Sequence, residues 1–174
     1  MRKKNTLIGM GLLIAVLVLG VGYAFNAIEL TIGGAVNVTP NDENFKVIFS
    51  NAVAASGSDT ATITDSNSTS ITGNIEINSL TSVGQSTTVT YTVKNNSNAG
   101  IKAVIAPPVI TKTSSGEYFE VTTDWSTTAD TEIPSVNGNT KDLVITVTLV
   151  KAPVDETIEG NFSISLTANA ETEA

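Results

Sequence analysis

Residues 85–100 read QSTTVTYTVKNNSNAG, and their alternation is the clearest indication of fold in the chain. Val89, Tyr91 and Val93 fall on one parity and threonines on the other, a period of two that predicts a half-buried β-strand. The polar run 95–100 is typical of a turn. This stretch therefore predicts a strand that packs one face on a core and then reverses direction.

The same short, β-branched pattern recurs on both sides of this stretch. In 45–50, Phe45, Val47 and Phe49 are expected to point inward, and a short strand is expected at Thr60–Thr64. Further strands are predicted at 70–80, 101–106, 116–125, 141–150 and 160–168. No segment after residue 25 has a helical period. Eight or nine strands separated by turns predict an all-β protein, an antiparallel β-sandwich after an N-terminal apolar helix, with jelly-roll and immunoglobulin-like topologies both open.

The composition excludes several kinds of chemistry. The 174 residues contain no Cys and no His, which removes disulfides, thiol nucleophiles and the commonest general base and metal ligand. The net charge is −8, and every acidic residue lies at position 29 or later, so the surface repels nucleic-acid phosphates. We expect no catalytic residues, no cofactor and no nucleic-acid partner.

The first 24 residues have two interpretations. A basic start, MRKK, precedes a charge-free run that continues to Ile28. Such a run can be a retained membrane anchor, or a signal peptide cut between Ala24 and Phe25, with small residues at Gly22 and Ala24. The glycines of the run make a loose helix, which favours cleavage. In both cases the rest of the chain is expected to face outside.

The segment that follows, 25–38, has a clean alternating pattern. Five of its branched apolar residues share one parity, with Gly34 filling the gap: Ile28, Leu30, Ile32, Val36 and Val38. If the chain is cut after Ala24, this strand sits at a free end and can add to the sheet of a neighbouring subunit. Gly33-Gly34 is expected to kink or bulge it. The alternative is that it is the first strand of its own sandwich, the domain predicted for 39–174.

A short junction and a later pair of strand-rich stretches resemble the camelysin/TasA family of secreted biofilm-matrix fibre proteins. The junction is GYAFNAIEL (22–30), and the pair is VGQSTTVTYTVKNNSNAG and LVITVTLVKAPVDETIEGNFSISLTA. The resemblance implies secretion, a specialised signal peptidase and assembly into filaments by strand donation. Some members carry a metallopeptidase label, but a chain without His offers no recognisable zinc site.

The sequence thus predicts a non-enzymatic structural subunit of an extracellular, pilus-like filament or biofilm matrix at the cell surface. Its expected interactions are self-association and processing by a signal peptidase, with membrane contact only through 1–24 if that segment is uncleaved. The alternative is a membrane-anchored β-sandwich adhesion or ligand-binding module that presents the loops 53–70 and 126–140.

A few polar and aromatic residues suggest binding chemistry. The acidic turns 39–45 and 64–70 carry oxygen ligands suited to Ca²⁺, but their spacing does not match an EF-hand, and solvated turns are the simpler interpretation. Trp125 and Tyr118 can stack on sugars, although a lone Trp in a sandwich is more often a core or rim residue. Asn95-Asn96-Ser97 is one of four glycosylation sequons.

Overall fold

The computed structural model describes residues 30–39, 44–64, 71–136, 139–152 and 158–173, and for 30–32, 36–39, 71 and 158 it describes the backbone alone. The predicted cleavage site, the apolar segment before it and the acidic residues of the two turns at 40–43 and 65–70 lie outside the described residues. No helix that could cross a membrane is found in the described ranges.

Two sheets face each other in the described part of the chain, which is an all-β sandwich. The larger sheet contains seven strands: β1 (Leu30–Thr39), β3 (Thr60–Thr64), β4 (Ile71–Ile77), β6 (Ile101–Ile105), β7 (Val109–Ser114), β9 (Thr131–Ile133) and β11 (Ile158–Thr172). The smaller sheet contains four strands: β2 (Val47–Ala54), β5 (Ser86–Asn95), β8 (Phe119–Thr123) and β10 (Thr140–Leu149).

The strand order of the larger sheet is β3-β4-β1-β11-β6-β9, so β1 is an interior strand. It runs antiparallel to β4 and parallel to β11. The prediction of a purely antiparallel sandwich is therefore wrong for this pair, while the other described strand pairs are antiparallel. A parallel pair needs a long crossover, and here nearly the whole described chain lies between the two partners.

The second edge of β11 is covered by two short strands in succession. β7 pairs with its first half and β6 with its second half. Pro107 and Pro108 separate these two strands, because proline lacks the N–H that a ladder needs. The strand predicted at 101–106 is confirmed and ends at Ile105, before this pair, but no strand was predicted at Val109–Ser114 or at the three-residue β9.

The core lies between the sheets and follows the predicted alternation. Val89, Tyr91 and Val93 are each 0% exposed, while the threonines between them are half-buried on the outer face. Phe45 and Phe49 are also buried, as predicted. The smaller sheet is in the order β2-β5-β10-β8, so β5 and β10 carry the centre of its apolar face. This period-two burial is what a sheet with one covered face requires.

Candidate functional site at the N-terminal strand

The gap between β4 and β11 that β1 fills is called here the β1 groove. Its β11 side pairs with all ten residues of β1, from Leu30 opposite Ile158 to Thr39 opposite Thr167. Its β4 side pairs with 32–38, from Ile32 opposite Ile77 to Val38 opposite Ile71. Both long edges of β1 are thus hydrogen-bonded within the chain itself.

The register places four of the predicted assembly residues in this groove. Leu30, Ile32, Val36 and Val38 lie opposite positions of β11 that are, in order, Ile158, Gly160, Ile164 and Leu166. Ile164 and Leu166 are 0% and 1% exposed, so this row of β11 belongs to the core. Ile28, Ala24 and Phe25 lie outside the described residues. In this state β1 is a strand of its own sandwich.

The glycine pair has a different role from the predicted one. The register of β1 is continuous through Gly33 and Gly34 on both sides, so neither glycine forms a bulge. Instead, a Cβ on Gly34 would lie 2.3 Å from Cζ of Phe162, well inside contact distance. Gly34 makes room for a buried ring of the adjacent strand, a use of strand glycine that admits close approach.

Two further glycines of the groove walls also make room for aromatic rings, and sequence reasoning missed all three. A Cβ on Gly73 of β4 would lie 2.4 Å from the ring of Tyr91, and one on Gly160 of β11 would lie 2.4 Å from Phe119. The available signal was an isolated glycine inside an otherwise β-branched strand, which indicates close approach of another group.

A buried carboxylate holds the end of the groove wall formed by β4. Asp59 is 6% exposed, and its Oδ1 accepts hydrogen bonds from the backbone N–H groups of Asn78 (2.8 Å) and Ser79 (2.9 Å). Its Oδ2 accepts from the hydroxyls of Ser79 (2.8 Å) and Thr87 (2.8 Å). Thr87 belongs to β5, so this one side chain ties the two sheets together.

A buried amide performs the same task at the other end of β5. Asn95 is 0% exposed, and its Nδ2 donates to the backbone oxygens of Ile101 (2.9 Å) and Ile133 (3.0 Å). Its Oδ1 accepts from the N–H of Ser97 at 3.0 Å. The side-chain nitrogen of Asn95 is buried and donates two hydrogen bonds to carbonyl oxygens. The sequon Asn95-Asn96-Ser97 is therefore inaccessible to glycosylation in the folded protein.

Charged and aromatic side chains outside the groove have structural partners. Lys102 of β6 forms ion pairs with Glu132 of β9 (3.1 Å) and Glu171 of β11 (3.3 Å), and its hydrogen bonds to the two carboxylates raise the pKa of its ammonium group. Trp125 is 4% exposed and donates to the backbone oxygen of Asp142, so its predicted place in the core or rim is confirmed.

A shallow, open cavity of about 340 Å³ lies near the Asp59 end of the sandwich. Its walls are small, mostly hydroxyl-bearing residues of the β2–β3 connection, the β4–β5 connection and the start of β5: Ala55, Ser56, Ser79, Leu80, Gln85, Ser86, Thr87 and Thr88. Within the described residues no group of three or more Asp or Glu side chains is placed to hold a metal ion.

The fold and the site together define an all-β, two-sheet sandwich whose N-terminal strand is an interior member of the larger sheet. Comparison with known protein families found no family whose model matches the chain, and comparison with curated proteins found no match.

Proposed function

We propose that this protein is a structural subunit of an extracellular filament or biofilm matrix, and that subunits join by donating β1 to the groove of a neighbour. The observation that carries the proposal is the place of β1. It is the first strand of the described fold, yet it lies inside the larger sheet with partners on both edges. A terminal strand that completes a sheet from within is the element most easily exchanged between identical chains.

Exchange would preserve the contacts of the strand. A β1 arriving from a second copy would make the same ten backbone pairs with β11 and seven with β4. The cost of exchange is then confined to opening the hinge and to associating two chains. Residues 40–43 separate β1 from Asn44, whose backbone oxygen is already hydrogen-bonded to Asn98. An extended segment of four residues reaches about 14 Å, so donation requires a closely abutting neighbour.

Donation of this kind propagates. Each subunit gives its own β1 to the next and receives one from the previous subunit, so the contact is heterologous and extends into a filament without closing on itself. Main-chain hydrogen bonds would supply the affinity and alternate side chains the specificity. The proposal needs only the two-sheet sandwich and holds for a jelly-roll or an immunoglobulin-like connectivity alike.

The sequence before β1 supports export. The apolar segment 1–24 with its basic start fits a signal peptide, and cleavage after Ala24 would free the end of the strand that is donated. The junction resembles that of the camelysin/TasA family, whose members assemble in this way. A chain without His or Cys fits a structural role better than a catalytic one.

A second candidate is a membrane-anchored binding module. The cavity beside Ala55 and Ser56 favours it, because these residues belong to a loop that such a module would present to a ligand. In this alternative the segment 1–24 stays in the membrane and β1 never leaves its own sheet. The two candidates differ in whether β1 is free to change partners.

The test is to hold β1 in its own sheet by a disulfide. Ala35 and Asn74 are opposed in the β1–β4 register on the outer face, and the chain has no native Cys to interfere. Residues 25–174 carrying Ala35→Cys and Asn74→Cys would be oxidised as monomers and examined by negative-stain electron microscopy, before and after reduction. We expect filaments only after reduction, whereas filaments from the oxidised monomer would contradict strand donation.

A truncated chain that begins at Thr39 serves as a companion to this experiment. It lacks β1 and should form no filaments, while residues 25–174 with the native sequence should form them. Circular dichroism and the emission of the single Trp report whether the truncated chain is folded. Monomers from the reduced, native and truncated chains alike would favour the binding module.

A further inference from the structure

The inward face of the β1 groove has a stepped pattern of large and small residues. Gly34 of β1 lies opposite Phe162 of β11, and three atoms of that ring lie within 2.8 Å of where a Gly34 Cβ would be. The ring therefore crosses the backbone of β1 at this one position. Any side chain there would have to displace an aromatic ring from the core.

Phe162 has little freedom to move aside. It is 3% exposed, and its ring centroid lies 6.3 Å from that of Phe119, which is 0% exposed. Phe119 in turn packs against Gly160, where a Cβ would lie 2.4 Å from its Cε1. A close-packed interior transmits such a displacement to its neighbours and does not absorb it.

The glycines of neighbouring strands are staggered so that the pattern fits one register. Gly160 of β11 is opposite Ile32, and Gly73 of β4 is opposite Val36, two residues to either side of Gly34. A shift of β1 by two residues would place Ile32 or Val36 against the Phe162 ring. A shift by one residue would turn every side chain to the other face.

The neighbouring glycine provides an internal contrast. A Cβ on Gly33 would meet only the Asn161 side chain, with Oδ1 at 2.7 Å, and Asn161 is exposed on the outer face. That side chain can turn toward solvent at the loss of one exposed hydrogen bond, from its Nδ2 to the Ser114 hydroxyl. The two adjacent glycines thus differ in their neighbour: the buried Phe162 ring at Gly34 cannot move aside, whereas the exposed Asn161 side chain at Gly33 can.

We infer that the fit between Gly34 and Phe162 selects the register of the strand in the β1 groove, whether that strand is the chain's own β1 or the β1 of a second copy. Phe162 is the positioning residue, because its ring fits over β1 only at Gly34, where no side chain is present. The case of a second copy rests on the proposed function.

The test measures register by disulfide formation in residues 25–174. The Ala35→Cys and Asn74→Cys pair reports the native register, and Ala35→Cys with Glu76→Cys reports a shift by two residues. Gly34→Val and Gly33→Val are compared in both backgrounds, because they add the same β-branched side chain at adjacent positions on opposite faces of β1. We expect Gly33→Val to cross-link as the parent does, and Gly34→Val to lower the native-register yield about tenfold or more, the effect of overpacking a tight core.

A rescue variant keeps the test decisive if Gly34→Val fails to fold. Phe162→Leu removes the ring atoms that meet position 34 while keeping an apolar side chain in the core. Gly34→Val combined with Phe162→Leu should recover the native-register disulfide. Equal cross-linking and equal melting temperatures of Gly34→Val and Gly33→Val would overturn the inference, and so would a failure of Phe162→Leu to change the effect of Gly34→Val.

Non-reducing gel electrophoresis of the same cross-linked samples distinguishes this inference from the proposed function. A disulfide within one chain shows the register of β1 in its own sheet, whereas a ladder of linked chains shows donation between copies. Native-register cross-linking without any ladder would support the Gly34–Phe162 selection and count against filaments. A ladder formed equally by Gly34→Val would support strand donation and overturn the selection.

Discussion

The hydroxyl of Tyr91 donates a hydrogen bond to the backbone oxygen of Asn74 at 2.8 Å, and this bond crosses from the smaller sheet to the larger one. The same hydroxyl lies 3.3 Å from the backbone oxygen of Thr62. The Tyr91 ring lies over Gly73 and is 0% exposed, so the bond is shielded from water. One side chain of β5 thereby holds the β4 wall of the β1 groove against the core.

Removing this hydroxyl should destabilise the sandwich without repacking it. We expect Tyr91→Phe to lower the free energy of unfolding by about 1–2 kcal/mol, the usual cost of deleting one partner of a buried hydrogen bond. Urea denaturation followed by the emission of Trp125 measures the change. Tyr118→Phe is the matched control, because the Tyr118 ring is half-buried at the surface beneath the Lys151 ammonium, and should leave stability unchanged.

The same residue predicts a loss of stability at high pH. Burial raises the pKa of the Tyr91 phenol above its ordinary value of 10.0, so the folded protein favours the neutral form. Its contribution is complete below that ordinary value and is lost as the pH rises toward the raised value of the folded state. We expect the stability advantage of the native protein over Tyr91→Phe to be constant at lower pH and to shrink as the pH rises above about 10. Equal pH dependence of the two proteins would contradict this assignment.

Asp59 should be the most sensitive carboxylate in the described part of the chain. Asp59→Ala deprives the backbone N–H groups of Asn78 and Ser79 and the hydroxyl of Thr87 of their shared acceptor. We expect a loss of about 2–4 kcal/mol in the free energy of unfolding, since several buried donors are affected together. Asp130→Ala, at an exposed position, should change it by less than about 0.5 kcal/mol. A similar effect of the two changes would show that the Asp59 network contributes little.

Asn95 tests the need for a donor at a fixed point. Asn95→Asp preserves the shape but turns a carboxylate oxygen toward the backbone oxygens of Ile101 and Ile133, which offer no proton. We expect a loss of about 3 kcal/mol or more at neutral pH, because a buried charge then faces two acceptors. Thermal unfolding measures the loss, and Asn51→Asp on the exposed part of β2 is the control. Comparable melting temperatures for the two variants would contradict the role assigned to Asn95.

Local pattern was sufficient for most of the smaller sheet. The inward row of β5 and the inward Phe45, Val47 and Phe49 follow from a period of two and are buried as predicted. In the larger sheet, the strand predicted at Thr60–Thr64 is confirmed with the same bounds, although four of its five residues are exposed. The successes in the smaller sheet share a cause: where one face of a strand is covered and the other is solvated, apolar and polar side chains alternate along the strand and identify the two faces.

Local pattern failed where a strand's identity depends on its neighbours. β7 has exposed side chains along nearly its whole length and carries no alternation that predicts a strand, and it exists because the second edge of β11 needs a partner. β9 is a three-residue strand that forms because the free edge of β6 needs a partner. The bulge predicted at Gly33-Gly34 is absent. Gly34 instead makes room for the ring of Phe162, which belongs to a strand more than a hundred residues away in the chain.

The sequence alone determined that the chain folds as strands, that the inward residues of 45–49 and of β5 belong to the core, and that an apolar alternating strand follows the N-terminal segment. Only the tertiary structure decided that this strand lies between β4 and β11, parallel to the latter, with Gly34 beneath Phe162. The physical reason is range. Periodicity is a property of adjacent residues, whereas strand order, register and the fit of a ring over a glycine depend on contacts between segments far apart in the chain.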